Sequence, residues 1–442
     1  MSNKPLKAIL LLAAALRVAL LVAAWNCPDQ LATPDSAGYI ELSETLLDRG
    51  AFVRNELPEI FRTPGYPVLL AAGAPFGESG WRVTTLFQIF VDVLLVYLTF
   101  LLGSLICDRQ TGMWAAALQA VAATALAASL RTLSDGVFAF LMTLSVLLLA
   151  HHFRFSQWWS LLSAAGVAAA SCYVRPVGIM FCAVVVVVLL PRKGHFRRAG
   201  AFAGVVLLVL APWVIRNKVT ADYTGFSSFA GDSLYLFAAP QVIAETSDMT
   251  AQEARQKARF EDNYAQELSL GERTSGQGAR QRRTAVMRTM ADNPGAYIRI
   301  HLTGCGSFFL PAAGDVLEIA GVTTGQKGTL DVLHEEGFSA ALRHYFGGKT
   351  WAIWLCGPML AILVAKYMLA VECLCRRLSA GMGASAWLMV LVFVVFALSG
   401  GPASTPRFRV PVEPILSVAA AAGIVTITDR LKRRKEKRSG IA

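Results

Sequence analysis

The sequence predicts an all-α polytopic membrane protein, and three observations lead there. Of 442 residues, 55 % are hydrophobic and only 16 % charged, with a mean hydropathy of +0.50. Soluble chains carry nearer a quarter charged residues. Apolar runs close to the ~20 residues that cross a bilayer recur along the chain. Tryptophans stand at the ends of those runs, at Trp25, Trp81, Trp158, Trp159, Trp213 and Trp351, where an indole can lie among headgroups.

The first run, Leu6 to Trp25, follows Lys4 and Lys7. Arg17 interrupts its apolar core and no small-residue cleavage site follows, so it reads as a retained span, not a signal peptide. Further spans are expected at Trp81–Ile106, Gly112–Ala128, Ser134–Ala150, Trp158–Tyr173, Val177–Leu190, Ala199–Ile215, Trp351–Val371, Ala384–Ser399 and Val410–Ile427. The run Tyr297 to Ala313 contains Arg299, His301 and Pro311. Counted as a span, it would put the basic C-terminus outside. Read as a surface helix, it puts that terminus and CRRLSAG inside, beside PRKGHFRR, as the positive-inside rule prefers. The expectation is therefore about ten spans with both termini cytoplasmic.

Four regions follow: a transmembrane module over 1–216 that includes an outer loop at 26–80, an extracytoplasmic helical subdomain at 217–350, transmembrane helices over 351–428, and a basic cytoplasmic tail at 429–442. In the subdomain, TAQE (Thr250 to Glu253) is a capping box opening a polar helix to about Leu268, and a second helix is expected from Gly278 to Ala291.

The net charge of +11 does not indicate nucleic acid. Much of it lies in DRLKRRKEKR, directly after an apolar run, where basic residues anchor a last helix to the cytoplasmic leaflet. Eight cysteines are scattered without disulfide or zinc spacing, although Cys27 and Cys305 are both expected outside and leave one bridge open.

With this topology, cytoplasmic charges are plain anchors, whereas the outer junctions collect a different set. Asp35, Glu41 and Arg62 lie in the first loop; Arg131 and Asp135 in LRTLSD; Arg175 in YVRPVG; Arg216 in PWVIRN; Arg407 and Arg409 in TPRFRVPVEP. Arginine on the translocated side runs against the insertion bias. An ionised group at a bilayer margin needs a partner or water. Arginines gathered there suit a phosphate, and a carboxylate among them suits a general base or a metal ligand. Singly, Arg82, Arg131 and Arg216 read equally well as snorkelling anchors, Glu41 as a solvated helix face, Asp35 as a helix cap and His301 as packing.

The stretch PDSAGYIELSETLLDRGAF followed by FRTPGYPVLLA resembles the first extracytoplasmic loop of the GT-C glycosyltransferases. The branch concerned contains protein O-mannosyltransferases, the aminoarabinose transferase of lipid A and related lipopolysaccharide sugar transferases. LSDGVFAFLMTLS, YVRPVG, PWVIRN, GDSLY, DNPGAYI and PRFRVPVEPIL follow in order, so the resemblance covers nearly the whole chain. It implies a GT-C-like fold with juxtamembrane helices. It also implies transfer of a sugar from a polyprenyl-phosphate-linked donor to a glycan, lipid A or protein acceptor, at the periplasmic face of the bacterial inner membrane. Asp35 matches the catalytic first-loop aspartate and Asp135 a second acidic position. Arg62, Arg407 and Arg409 match basic residues of the family motifs, and Arg175 joins them as a phosphate contact. Tyr66, Arg131, Arg216 and Tyr235 are the candidate substrate contacts. The resemblance implies no certain cofactor and leaves room for a divalent cation, magnesium or manganese. The first loop departs from the mannosyltransferase branch in having one aspartate, not an Asp-Glu pair, so mannose is not implied.

Two rival readings are a lipid or sugar transporter (a flippase included) and a lipid-pyrophosphate ligase or polymerase. A transporter predicts charges at the midplane and repeated halves. The expected spans carry few interior charges beyond Arg17 and Asp92, and no repeat is visible.

Overall fold

The structure, a computed structural model, describes residues 4–190, 196–247, 249–250, 253–254, 275–322, 332 and 336–438. It is helical almost throughout. After α1 (Lys4–Ala23), the first loop folds into α2 (Pro34–Arg49), a hairpin of β1 (Val53–Arg54) and β2 (Leu57–Pro58), and α3 (Gly65–Ala71). There follow α4 (Gly80–Ile106), α5 (Arg109–Ala120), α6 (Ala123–Leu130), α7 (Asp135–Phe155), α8 (Trp158–Val174), α9 (Gly178–Leu189) and α10 (Phe196–Ala221). The long connection contributes α11 (Phe229–Ser233), α12 (Ala239–Thr246), α13 (Gly276–Asp292), α14 (Pro294–Cys305), α15 (Ala313–Ile319) and α16 (Phe338–Tyr345). The chain ends with α17 (Ile353–Ala380), α18 (Ala384–Ser399), a 3-10 turn over Pro406–Val412 and α19 (Glu413–Arg438).

Six segments are long and apolar enough to cross a membrane, the bent pair α5–α6 makes a seventh, and α8, α9 and α18 are shorter apolar helices. All ten expected spans are therefore helical. At 1.5 Å per residue, α9 rises only about 18 Å, so it does not cover the hydrocarbon core as a helix by itself. α8 packs against α7, α9 and α10, and its Ala164, Ala165, Ala168 and Ala169 are all fully buried, small enough for neighbouring backbones to approach closely.

The connections sort to two ends. At one end Thr132 N–H donates to the Leu31 carbonyl (3.0 Å), Ser228 N–H donates to the Ile60 carbonyl (2.9 Å), and Arg407 reaches both Asp35 and Asp135. At the other, Arg154 donates to the Leu105 carbonyl (2.7 Å), Arg377 donates to Cys107 Sγ (3.5 Å), and Arg430 pairs with Glu372 (3.4 Å). Junctions expected on one side of the membrane thus share one end of the bundle.

Four local outcomes differ from the sequence reading. The expected span Gly112–Ala128 is broken: α5 and α6 meet at 57°. Arg17 explains how the break is tolerated. Ion-paired with Asp92, it donates from Nη1 to the Ala13 and Ala120 carbonyls (2.8 and 3.1 Å), satisfying an acceptor that the interrupted helix leaves open. α10 continues past Ile215 to Ala221 with Pro212 inside it. Cys27 and Cys305 are both free thiols, the first exposed and the second buried, so no bridge joins them. Finally, Lys366 and Glu413 form a buried ion pair between α17 and α19, so the spans are less free of charge than expected.

Tyr297 to Ala313 does not form one long helix. α14 is 12 residues long and gives way to a 3-10 turn at Gly306–Phe309 before Pro311. His301 Nε2 meets the Leu398 carbonyl at 2.8 Å, a packing role. The capping box is present, Glu253 N–H donating to Thr250 Oγ1 at 3.2 Å; the helix expected beyond it lies outside the described residues. The second expected helix is α13.

Candidate active site

Four connections meet at the Asp35 end of the bundle and supply five charged side chains, two of them, Asp35 and Arg62, from the first loop. Asp35 sits in the first turn of α2. It does not cap that helix. Thr33 is the N-cap, its N–H donating to Ser36 Oγ (2.9 Å), and Ser36 Oγ donates to the Thr132 carbonyl (2.9 Å), which ties α2 to the turn before α7. With the cap supplied elsewhere, the Asp35 carboxylate turns to Arg407 Nη1 (2.9 Å) and Arg62 Nη2 (3.4 Å).

Arg62 is set by the segment EIFRTPGYP. Glu59 is buried, and its Oε1 accepts the N–H of Arg62 at 3.0 Å as well as that of Phe61, which fixes the loop. Pro64 caps α3 and Pro67 lies in its first turn. Gly65 is required because a Cβ there would lie 2.7 Å from the Tyr173 carbonyl oxygen of α8. The guanidinium then lies over the Tyr39 ring at 4.2 Å. Its Nε is buried and has no hydrogen-bond acceptor among the described residues.

Asp135, fully buried at the start of α7, pairs with Arg175 and also with Arg407 Nε at 3.0 Å. Arg175 follows the last residue of α8, its guanidinium 5.8 Å from the Phe408 ring. Arg407 therefore bridges the two aspartates. Three guanidiniums face two carboxylates, which leaves one positive charge uncompensated.

The electrostatics follow. Burial pushes the Asp35 carboxyl up, but Arg407 first, then Arg62 and Arg175, outweigh it and hold the group below the ordinary aspartate value. Burial and the neighbouring Arg407 lower Arg175, which still carries its charge at neutral pH. Asp315, on α15, is pushed up by burial despite Arg131 and Arg407.

Five expected site residues stand away from this cluster. Arg409 points the other way, which the 3-10 turn explains. At three residues per turn, positions two apart lie on different faces. Its Nη1 donates to the Leu310 carbonyl and to Tyr367 Oη (both 3.0 Å), and its Nε donates to Glu413 (3.0 Å). Arg131 caps α6 and pairs with Asp315 (3.2 Å) and Glu318, joining α6 to α15. Arg216 donates to the Glu59 and Phe52 carbonyls (both 2.6 Å) and so holds the first loop against α10. Tyr66 is fully buried, its ring edge-on to Tyr39 at 4.9 Å and its hydroxyl donating to Gln88. Tyr235 packs with Val286 and Met290 among the helices of the long connection. The sequence reading missed Glu59, Tyr39, Gly38 and Asp315. Only Glu59, three residues before Arg62, carried a signal, that of a carboxylate placed to cap the following N–H groups.

Among the described residues no three His, Cys, Asp or Glu side chains gather to hold a metal. Asp35 and Asp135 are each engaged by two guanidiniums, a donor set that does not suit a divalent cation.

No protein-family model and no curated protein matches the sequence. Solved structures do. The archaeal oligosaccharyltransferase AglB from Archaeoglobus fulgidus, in complex with an inhibitory peptide and a dolichol-phosphate, superposes over 98 % of this chain and 51 % of its own, with 15 % identity and a TM-score of 0.54. Its apo form gives 16 % identity over 100 % of this chain and 52 % of its own, again at 0.54. ArnT from Cupriavidus metallidurans, bound to undecaprenyl phosphate, gives 13 % identity over 96 % of this chain and 78 % of its own, at 0.43. The chain thus spans about half the length of the archaeal enzyme, and at these identities the likeness is one of fold. That fold is the GT-C fold the sequence resemblance implied.

Proposed function

We propose that this membrane protein, built on the fold of the GT-C glycosyltransferases, transfers a sugar from a polyprenyl-phosphate-linked donor to an acceptor hydroxyl. The observation that carries the reading is the Asp35 cluster, with its excess guanidinium and the unsatisfied Nε of Arg62. A buried arginine donor without an acceptor is costly, and a phosphate oxygen relieves it. In the related folds, AglB was solved with dolichol-phosphate and ArnT with undecaprenyl phosphate.

In this reading Arg62 and Arg407 hold the lipid phosphate, and Asp35 takes the proton of the acceptor hydroxyl. The acceptor oxygen bonds to the anomeric carbon as the bond from that carbon to the phosphate oxygen breaks, and the phosphate leaves on the arginines. A carboxyl held at low pKa is a weak base. Donor binding corrects this: a phosphate that draws Arg62 and Arg407 away from Asp35 raises its affinity for a proton as the acceptor arrives. Asp135 has no exposed surface, so its role is to position Arg175 and Arg407. One displacement with one accessible base gives inversion. The basic tail of α19, at the opposite end of the bundle from Asp35, supports a site on the outer face of the bacterial inner membrane, because basic residues favour the cytoplasmic side.

The test is a strain lacking the protein, with mass spectrometry of its lipopolysaccharide and surface proteins. Loss of one sugar mass, restored by the wild-type chain and not by Asp35→Asn, is expected. A null strain with unchanged glycans on every such acceptor would overturn the reading.

A further inference from the structure

A second feature lies at the far end of the molecule. Between α17, α18 and α19 and the ends of α4 and α7 runs an apolar groove of about 880 Å³, walled by side chains such as Leu374, Val390, Phe393 and Ala419. Tyr367 lines one end and Arg154 and Arg377 the other. Arg154 stands in the last turn of α7, whose first residue is Asp135. The helix rise puts the two about 28 Å apart, roughly a full hydrocarbon core. The arginine end of the groove is therefore at the membrane face opposite the Asp35 cluster. From Tyr367 to Arg377 along α17 is about 15 Å, the depth of one leaflet.

Both guanidiniums are exposed, and neither forms an ion pair among the described residues. Arg154 donates to the Leu105 carbonyl and Arg377 to Cys107 Sγ, contacts that aim them without neutralising them. The neighbouring carboxylate, Glu372, is taken by Arg376 and Arg430.

We propose that this groove binds an anionic phospholipid of the leaflet opposite the catalytic cluster, its phosphate on Arg154 and Arg377 and an acyl chain along the groove. Charge complementarity selects the headgroup, and the one-leaflet depth matches the chain. The polyprenyl donor is not the occupant, because its phosphate belongs with the Asp35 cluster at the other face. That exclusion rests on the sugar-transfer reading; the groove and its two arginines do not.

Native mass spectrometry of the full chain in detergent, titrated with phosphatidylglycerol and with phosphatidylcholine of the same acyl chains, tests it. Wild type is expected to retain phosphatidylglycerol about ten-fold better, as two surface cations imply. Arg154→Gln with Arg377→Gln should bring the two lipids level, and the corresponding double lysine variant should keep most of the preference. Ala419→Trp, which fills the groove, should lower retention of both lipids. Equal retention by wild type would overturn the proposal, as would a glutamine variant that keeps its preference. Displacement of phosphatidylglycerol by undecaprenyl phosphate would also overturn it, by assigning the groove to the donor. Asp35→Asn should leave the lipid preference intact, which separates this outcome from failure of the catalytic reading.

Discussion

Arg407 and Arg409 stand two residues apart in one 3-10 turn, and they live in different worlds. Arg409 is 2 % exposed. It donates to two carbonyls, a tyrosine hydroxyl and Glu413, which in turn pairs with Lys366 and accepts from Thr124 Oγ1 at 2.8 Å. Arg407 bridges Asp35 and Asp135, in a cluster where Asp35 is 47 % exposed and Arg62 Nε lacks an acceptor among the described residues. Both groups hold one more cation than carboxylates. The first resolves the excess with backbone and hydroxyl dipoles and is closed; the second leaves it open toward the loops. A buried charge network that is satisfied holds helices together, and one that is unsatisfied and reachable binds something.

The sharpest test of the open cluster is Asp35→Asn. It removes the accessible base but keeps its shape, so turnover is expected to fall by about 10²–10⁴-fold while the purified protein melts as wild type. Full activity would remove Asp35 from the mechanism. The closed network predicts the reverse. Glu413→Gln strands Lys366 and Arg409 as buried cations, so the protein should lose about 3–5 kcal/mol and accumulate poorly. Donor KM of the surviving fraction should change little. Wild-type melting combined with weak donor use would erase the distinction between the two arginines.

Arg407→Gln comes next, with an expected drop of about 10²–10³-fold in kcat/KM for the donor. It also carries a pH signature. Asp35 titrates below the ordinary aspartate value in the wild type, so it stays ionised and the acid limb of kcat/KM lies below that value. Arg407 is the largest influence that lowers it. Without this partner burial acts less opposed, the pKa rises, and the acid limb moves to higher pH. An acid limb that stays in place while activity falls would show that Arg407 acts on the donor alone.

Much of this was legible in the sequence, and the rest was hidden for definite reasons. Span positions follow from apolar runs, because hydrocarbon imposes one requirement on every backbone group. Asp35, Arg62, Asp135, Arg175 and Arg407 could be picked out because each sits where charge is costly. The same logic selected Arg131, Arg216 and Arg409, since the cost of an arginine at a margin does not reveal which acceptor meets it. Arg216 meets two carbonyls of the first loop, a long-range contact that leaves no local pattern. The Lys366–Glu413 pair leaves no local pattern either, because the partners are 47 positions apart. The break after Ala120 carries neither proline nor glycine, and only Arg17 from another helix accounts for it.

Gly38 gives the smallest effect and the cleanest separation of position from charge. It lies on α2 one turn beyond Asp35, and a Cβ placed there would stand 2.8 Å from Arg62 Nε and 3.2 Å from Nη2. The obstructing atoms are the end of a flexible side chain, so Gly38→Ala displaces the guanidinium and leaves the backbone in place. Alanine is also the better helix former by about 1 kcal/mol, and stability should hold or rise. Arg62 would lose its seat over Tyr39 and its alignment with Asp35 while every charge in the cluster remains. Displacement of this kind is expected to raise donor KM by about ten-fold, with a smaller change in kcat, because misplacement by an ångström weakens a contact without deleting it. Arg62→Ala in the same assay should exceed that loss. If Gly38→Ala binds donor as wild type does while Arg62→Ala fails, net charge alone recruits the phosphate and the packing of Arg62 against α2 is incidental.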